Sequence, residues 1–194
     1  MSLQPRTRYT VEEYLSLEAS TREKHEYLDG EVFAMGGASE AHNVIVGNVL
    51  GELRQQLKGK PCRVYPSDLR VKVSSTGLYT YPDVIVVCGR SELEQPGDTL
   101  LNPNVIVEVL SESSEAYDRG KKFEQYRSLA SLTDYLLVAQ DKPLVEHYAR
   151  QSEGRWLLVV ANRTVDSMEI ASIGCTLALS EVCSNVAGVG GAAA

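Results

Sequence analysis

Residues 102–114 read NPNVIVEVLSESS, and the fold turns on how this stretch is understood. Five of the six residues from Val105 to Leu110 are aliphatic. An unbroken run of this kind marks a strand covered on both faces. Glu108 stands in the middle of it. A carboxylate there must be paired, protonated or bound to a metal, because an isolated buried charge is very costly. The stretch therefore predicts a central strand that carries either an ion pair or a site.

Working outward, Val84-Ile-Val-Val87 is a second buried strand, expected over residues 81–87. Pro82 suits the start of a strand, where its missing N–H does least harm. Further strand signals lie at residues 62–65, 69–73, 134–139, 144–150 and 156–160. Val46, Val49, Leu50, Leu53 and Leu57 recur at helical spacing and predict a helix over residues 40–57. Ser39 is its candidate cap and Gly59 its natural stop. A second long helix is expected over residues 118–130. Thr10-Val-Glu-Glu13 is a capping box that opens a short helix to about residue 17. Asp29-Gly30 is a two-residue hairpin turn between strand-like flanks. This order predicts an α/β (mixed α+β) architecture, a mixed β-sheet flanked by helices with an N-terminal helix and hairpin. A single domain is expected over residues 8–185, with residues 186–194 as a disordered tail.

A chain of 194 residues can bury one compact core, and 43% hydrophobic with 23% charged residues excludes an intrinsically disordered class. No apolar run approaches the roughly 20 residues that cross a bilayer, and the opening residues lack a signal-peptide core. The expectation is a cytoplasmic protein with no membrane partner. A net charge of −7 argues against coating nucleic acid by bulk electrostatics, but not against a local basic patch working with metal ions. Cys62, Cys88, Cys175 and Cys183 are scattered without a Cys-x-x-Cys pair. They are expected to be reduced structural thiols with no intramolecular disulfide. His25 and His147 show no partner pattern and are expected at the surface.

If the strands at 81–87 and 105–110 are neighbours, Asp83 and Glu108 converge at one end of the sheet. Two carboxylates suit a hard cation, since magnesium usually takes only one or two from the protein and fills its shell with water and phosphate. A metal would balance a charge that burial alone pushes towards protonation. The competing reading has Asp83 capping a turn and Glu108 paired with a lysine or arginine. From Asp118 to Arg127, four basic residues (Arg119, Lys121, Lys122, Arg127) outnumber two acidic ones. That excess suits a phosphate-bearing substrate, or it is the solvated face of a helix.

Taken together, YPDVIVV, then NPNVIVEVLSESSEAYDRGKKFEQYRSL, then DYLLVAQDKPLVEHYA resemble the Uma-type restriction endonuclease family of the PD-(D/E)XK nuclease superfamily. The opening HEYLDGEVFAMGGASEAHNVI is similar to that family's first hairpin, loop and helix, so the likeness covers roughly residues 8–182. It matches the family's Pro-Asp to Pro82-Asp83 and its second acid to Glu108. The superfamily's Glu-x-Lys would need lysine at 110, where Leu110 stands; in Uma-type proteins the lysine comes from the next helix, here Lys121 or Lys122. The family's N-terminal acid matches Glu26 and its loop histidine matches His42.

The resemblance implies a restriction-endonuclease-like core and a magnesium- or manganese-dependent endonuclease acting on DNA. Asp83 and Glu108 would hold the metal, aided by the Val109 carbonyl. Lys122 would position the attacking water. Glu26 would complete the shell or orient a water, unless it is an exposed hairpin residue. His42, Lys121, Arg119 and Tyr126 are the candidate substrate contacts, with His42 otherwise a half-buried histidine. At about 100° per residue, Phe123, Tyr126, Leu129 and Ala130 form the sheet-facing arc, with Lys122 about 50° from its centre and Lys121 about 150° away. Lys122→Ala should then abolish hydrolysis with the fold largely intact, whereas Lys121→Ala should only weaken DNA binding. Leu110 and the acidic charge keep open a catalytically silent nucleic-acid- or protein-binding module, and hydrolysis of a smaller phosphate ester is a third possibility. A homodimer suits double-strand cleavage, but nothing in the chain identifies an interface.

Overall fold

In a computed structural model that describes residues 8–94, 97–112 and 114–189, the local signals near the N-terminus act as written. Thr10 Oγ1 accepts from the Glu13 amide and the Glu13 carboxylate accepts from the Thr10 amide, closing the capping box of α1 (Val11–Ser20). β1 (His25–Leu28) and β2 (Glu31–Ala34) form the hairpin. Its turn has Asp29 at φ 51° and Gly30 at φ 82°, the two left-handed residues that match the twist of the strands. α2 (Glu40–Gln56) starts where Ser39 Oγ accepts from the His42 amide, and it buries Ile45, Val49 and Leu53.

β3 (Cys62–Pro66), β4 (Arg70–Val73), β5 (Leu78–Thr80) and β6 (Val84–Cys88) follow. The strand expected from residue 81 is therefore corrected: β5 ends at Thr80, and Tyr81-Pro82-Asp83 crosses to β6. Proline cannot donate to a ladder, so pairing resumes only after it. β7 (Leu93–Glu94) and β8 (Thr99–Leu100) precede β9 (Val105–Leu110), whose six residues are all buried. In place of one helix over 118–130 there are α3 (Glu115–Tyr117), a π-helical turn (Asp118–Lys122) and α4 (Phe123–Tyr126). The chain closes with β10 (Asp134–Ala139), β11 (Val145–Arg150), β12 (Trp156–Ala161), the hairpin β13 (Ser167–Ile170) and β14 (Cys175–Ala178), and α5 (Leu179–Val182).

The central sheet runs β12-β11-β10-β9-β6-β3, with β9 and β10 parallel and the other neighbours antiparallel. One face packs against α2, α5 and the β13–β14 hairpin through Val105, Val107, Leu136 and Val138. The other face, with Ile85, Ile106 and Leu137, packs against α4 and against a second sheet ordered β2-β1-β5-β4-β8-β7. This is the mixed, helix-flanked sheet that the sequence predicts.

Several expectations are corrected. Cys62 and Cys88 lie opposite each other in the β3–β6 register and form a disulfide, while Cys175 and Cys183 are free and buried. His147 is buried against Asp134, and His25 Nδ1 lies 2.8 Å from Glu18, so neither is a simple surface residue. Val186 and Val189 pack into the core, so the tail does not begin at residue 186; residues 190–194 lie outside the described residues. Among the described residues no helix is long and apolar enough to cross a membrane.

Candidate active site

The antiparallel β6–β9 ladder ends at the pair Val84↔Val107. The next rung would set Asp83 against Glu108. Because Pro82 prevents a further rung, the two acids take the place of ladder hydrogen bonds. Asp83 Oδ2 accepts from the Val109 amide at 2.7 Å, and the Asp83 amide faces Glu108 Oε2 at 3.4 Å. The convergence expected from two consecutive buried strands is thus present in the fold.

Glu108 is not left bare. Lys122 Nζ lies 2.9 Å from its Oε1, and the buried Tyr126 hydroxyl donates to the same oxygen at 2.9 Å. Lys122 Nζ also meets Glu26 at 3.0 Å and Asp118 at 3.4 Å. One ammonium group therefore faces three carboxylates, all of them buried. Glu26 is no exposed hairpin residue; it also accepts from Thr80 Oγ1. His42, half-buried on the first turn of α2, reaches Asp83 Oδ2 through Nε2 at 3.1 Å.

Burial dominates the electrostatics. It pushes the Glu108 carboxyl up to about 8, with Asp118 and Asp83 adding to the effect and Lys122 opposing it. Burial likewise raises the Asp118 carboxyl. Burial alone would lower Lys122, but Glu108, Tyr126, Glu26 and Asp118 around it raise it well above the ordinary lysine range. Lys122 is thus a fixed ammonium group.

The cluster floors an open cleft of about 890 Å³ whose walls include Arg22, Phe33, Ser39 and Tyr117. Of the expected substrate contacts only His42 lines it. Tyr126 is fully buried beneath Glu108 and supports that carboxylate instead of meeting substrate. Arg119 is held by Glu115 and by Glu146 on β11, and Lys121 points to solvent; neither lines the cleft. Lys122, not Lys121, occupies the site, as the helical arithmetic predicts, although a π-helical turn carries it. Asp118 is the site residue that sequence reasoning missed. Its spacing of four from Lys122 was the available signal.

Among the described residues no group of three or more His, Cys, Asp or Glu side chains is arranged to hold a metal ion. Asp83 and Glu108 nonetheless fit a hard cation that needs only one or two protein carboxylates. Three acids (Glu26, Glu108, Asp118) meet one lysine and a fourth, Asp83, lies beside Glu108, so acids outnumber the cations at the site.

A mixed central sheet, helices on its faces and acids at the exit of a central strand define a protein of the restriction-endonuclease-like fold. The chain belongs to the Uma2 family, described as "Putative restriction endonuclease", whose model matches residues 11–180. It is similar to two proteins of Synechocystis sp. The uncharacterized protein slr1290 is 38% identical over 178 residues, covering 92% of this chain and 93% of that protein. The uncharacterized protein sll1609 is 34% identical over 150 residues, covering 77% and 85%. The fold is also that of a crystal structure of "a putative nuclease belonging to DUF820" from Anabaena variabilis, with a TM-score of 0.72 at 19% identity over 91% of this chain and 98% of that one.

Proposed function

We propose that this protein is a divalent-metal-dependent nuclease that hydrolyses phosphodiester bonds in DNA. The observation that carries the reading is the pair Asp83 and Glu108 at the end of the β6–β9 ladder, on the floor of an open cleft and beside a buried lysine. The Uma2 family match supports it.

A magnesium or manganese ion held by Asp83 and Glu108 would lower the pKa of a bound water and offset charge developing on the phosphate. The Val109 N–H donates to Asp83, and the carbonyl of an extended residue points to the same side as its N–H, which makes Val109 O the natural third donor. His42 holds Asp83 Oδ2 and leaves the other carboxylate oxygen for the cation. Tyr126 and Lys122 fix Glu108 Oε1, and Oε2, which the Asp83 amide meets at the longer distance of 3.4 Å, has a second lone pair for the same purpose. Because its neighbours keep Lys122 protonated, it serves as a hydrogen-bond donor that orients water or a phosphate oxygen, not as the base that removes a proton. A homodimer is the assembly that would bring two such sites to a duplex.

The test is a cleavage assay on metal-stripped protein with magnesium or manganese restored, using plasmid, linear DNA, RNA and a nucleotide ester. Cleavage of DNA is expected, and Asp83→Asn should lower the rate by at least about a hundred- to a thousandfold. Folded protein that cuts none of these substrates with either metal would favour a silent binding module. Cleavage of the ester alone would favour a small-molecule phosphodiesterase.

A further inference from the structure

We infer that Phe33 is a stacking platform for an unpaired nucleobase of the DNA strand being cut; the inference rests on the nuclease reading above and adds what the site recognises. Phe33 is directly paired with Glu26 across β1 and β2. Paired residues project from the same face with Cβ atoms roughly 5 Å apart. Glu26 in turn contacts Lys122 Nζ at 3.0 Å, and Lys122 contacts Glu108 at 2.9 Å. The phenyl ring therefore stands one strand beyond the acidic cluster, on the same wall of the cleft.

Its neighbours on the opposite face, Tyr27 and Val32, pack against Tyr14 in a small core of their own. Phe33 does not share that core and stays 47% exposed. Among the described residues it is the one exposed large apolar side chain that lines the cleft. A half-bare aromatic ring forfeits much of its transfer free energy in the free protein. That loss is recovered when the ring stacks on a flat π-face. Arg22 also lines the cleft and supplies positive charge for an adjoining phosphate, whereas Lys24 beside it is already paired with Asp68 at 2.7 Å.

A base can stack on a protein aromatic only when it has left the duplex stack, which is how single strands, loops and flipped nucleotides are bound. Such stacking tolerates any base, so the cleft would favour unpaired nucleotides near the cut without reading their sequence.

The experiment is fluorescence anisotropy in a chelating buffer with labelled oligothymidylate and a fully abasic oligonucleotide of equal length. Wild-type protein should bind the base-bearing strand about tenfold more tightly. Phe33→Leu keeps an apolar side chain without a π-face and should bring the ratio close to one, while Phe33→Trp should preserve it. Thermal melts of both variants should match wild type, because the ring is exposed. Equal wild-type affinity for the two strands, or a preference that survives Phe33→Leu, would overturn the stacking role and leave the nuclease reading in place. Failure to bind either strand, joined to failure in the cleavage assay, would overturn both.

Discussion

β9 and β10 lie side by side, each is buried at all six positions, and each carries one acid. Glu108 projects from one face of the sheet and Asp134 from the other, yet their surroundings are opposite in kind. Asp134 has partners of its own: His147 Nε2 lies 2.7 Å from Oδ1, and the Ser172 hydroxyl donates to Oδ2. Burial pushes its carboxyl up, but hydrogen bonds from His147, Ser172 and Thr133 outweigh that and hold it below the usual range. Glu108 shares a single lysine with Glu26 and Asp118, and its carboxyl is pushed up to about 8. A structural acid in this sheet is satisfied one to one and prefers its charge. The other sits among like charges at the end of a ladder, open to a cleft, and resists its charge. Burial alone does not separate the two; the balance of partners does.

That contrast sets the direction of the pH dependence. The unfolded chain releases the Glu108 proton near the ordinary value of 4.5, whereas the folded protein holds it until about 8. Between these values the native state binds more protons, so metal-free protein should lose stability as pH rises from about 4.5 to about 8. The change is on the order of 5 kcal/mol at most. Lys122 is charged in both states across this window and adds no slope. Urea melts of metal-stripped protein at several pH values should show the decline, and Glu108→Gln should flatten it. A profile that rises with pH through this window in wild type would break the comparison.

Lys122→Ala comes next in size. The sequence alone suggests a largely intact fold for this variant, because a lysine near the edge of a helical arc looks dispensable. The geometry corrects this: the substitution leaves Glu26, Glu108 and Asp118 buried without their ammonium partner. A loss of roughly 3–5 kcal/mol is expected at neutral pH. It should shrink at pH 5, where Glu108 and Asp118, both raised by burial, take up protons more readily. A neutral-pH melt equal to that of wild type would mean that the lysine does not neutralise the cluster.

Much of this was legible in the sequence, and the reasons for the rest are physical. β9 announced itself by an aliphatic run, and Glu108 by interrupting it. Glu108 pairs with a lysine, as the competing reading has it, and it also faces Asp83, the placement that a metal reading requires. Asp118 was hidden because an acid on a basic helix reads as solvated until the helix is known to press on the sheet. His147 and the Cys62–Cys88 bridge depend on partners in other strands, and no local pattern encodes a register. β7 and β8 have two residues each, too few to carry a period. β13 and β14 were legible but passed over: Met168, Ile170, Cys175 and Leu177 alternate inward on either side of Gly174.

The smallest effect belongs to the other acid. Asp134 joins β10 to His147 on β11 and to Ser172 in the turn between β13 and β14, so it ties the sheet to its covering hairpin. Asn at this position keeps the shape and one acceptor oxygen, but its amide nitrogen cannot accept the second donor. Asp134→Asn should therefore cost about 1–3 kcal/mol, the penalty of one unmet buried hydrogen bond. In a chain of this size that lowers the melting temperature by roughly 2–4 °C for each kcal/mol. The lowered carboxyl fixes the sign in acid: Asp134 contributes stability above its unfolded value of 3.8, and this is lost as pH falls through its depressed folded value. Asp134→Asn should flatten that acid limb while leaving untouched the decline between about 4.5 and 8 that Glu108 produces. Its cleavage rate at 25 °C should stay within about twofold of wild type, because neither Asp134 nor its partners His147 and Ser172 line the cleft. If Asp134→Asn instead cut activity as deeply as Asp83→Asn while remaining folded, the division into a structural and a functional acid would fail.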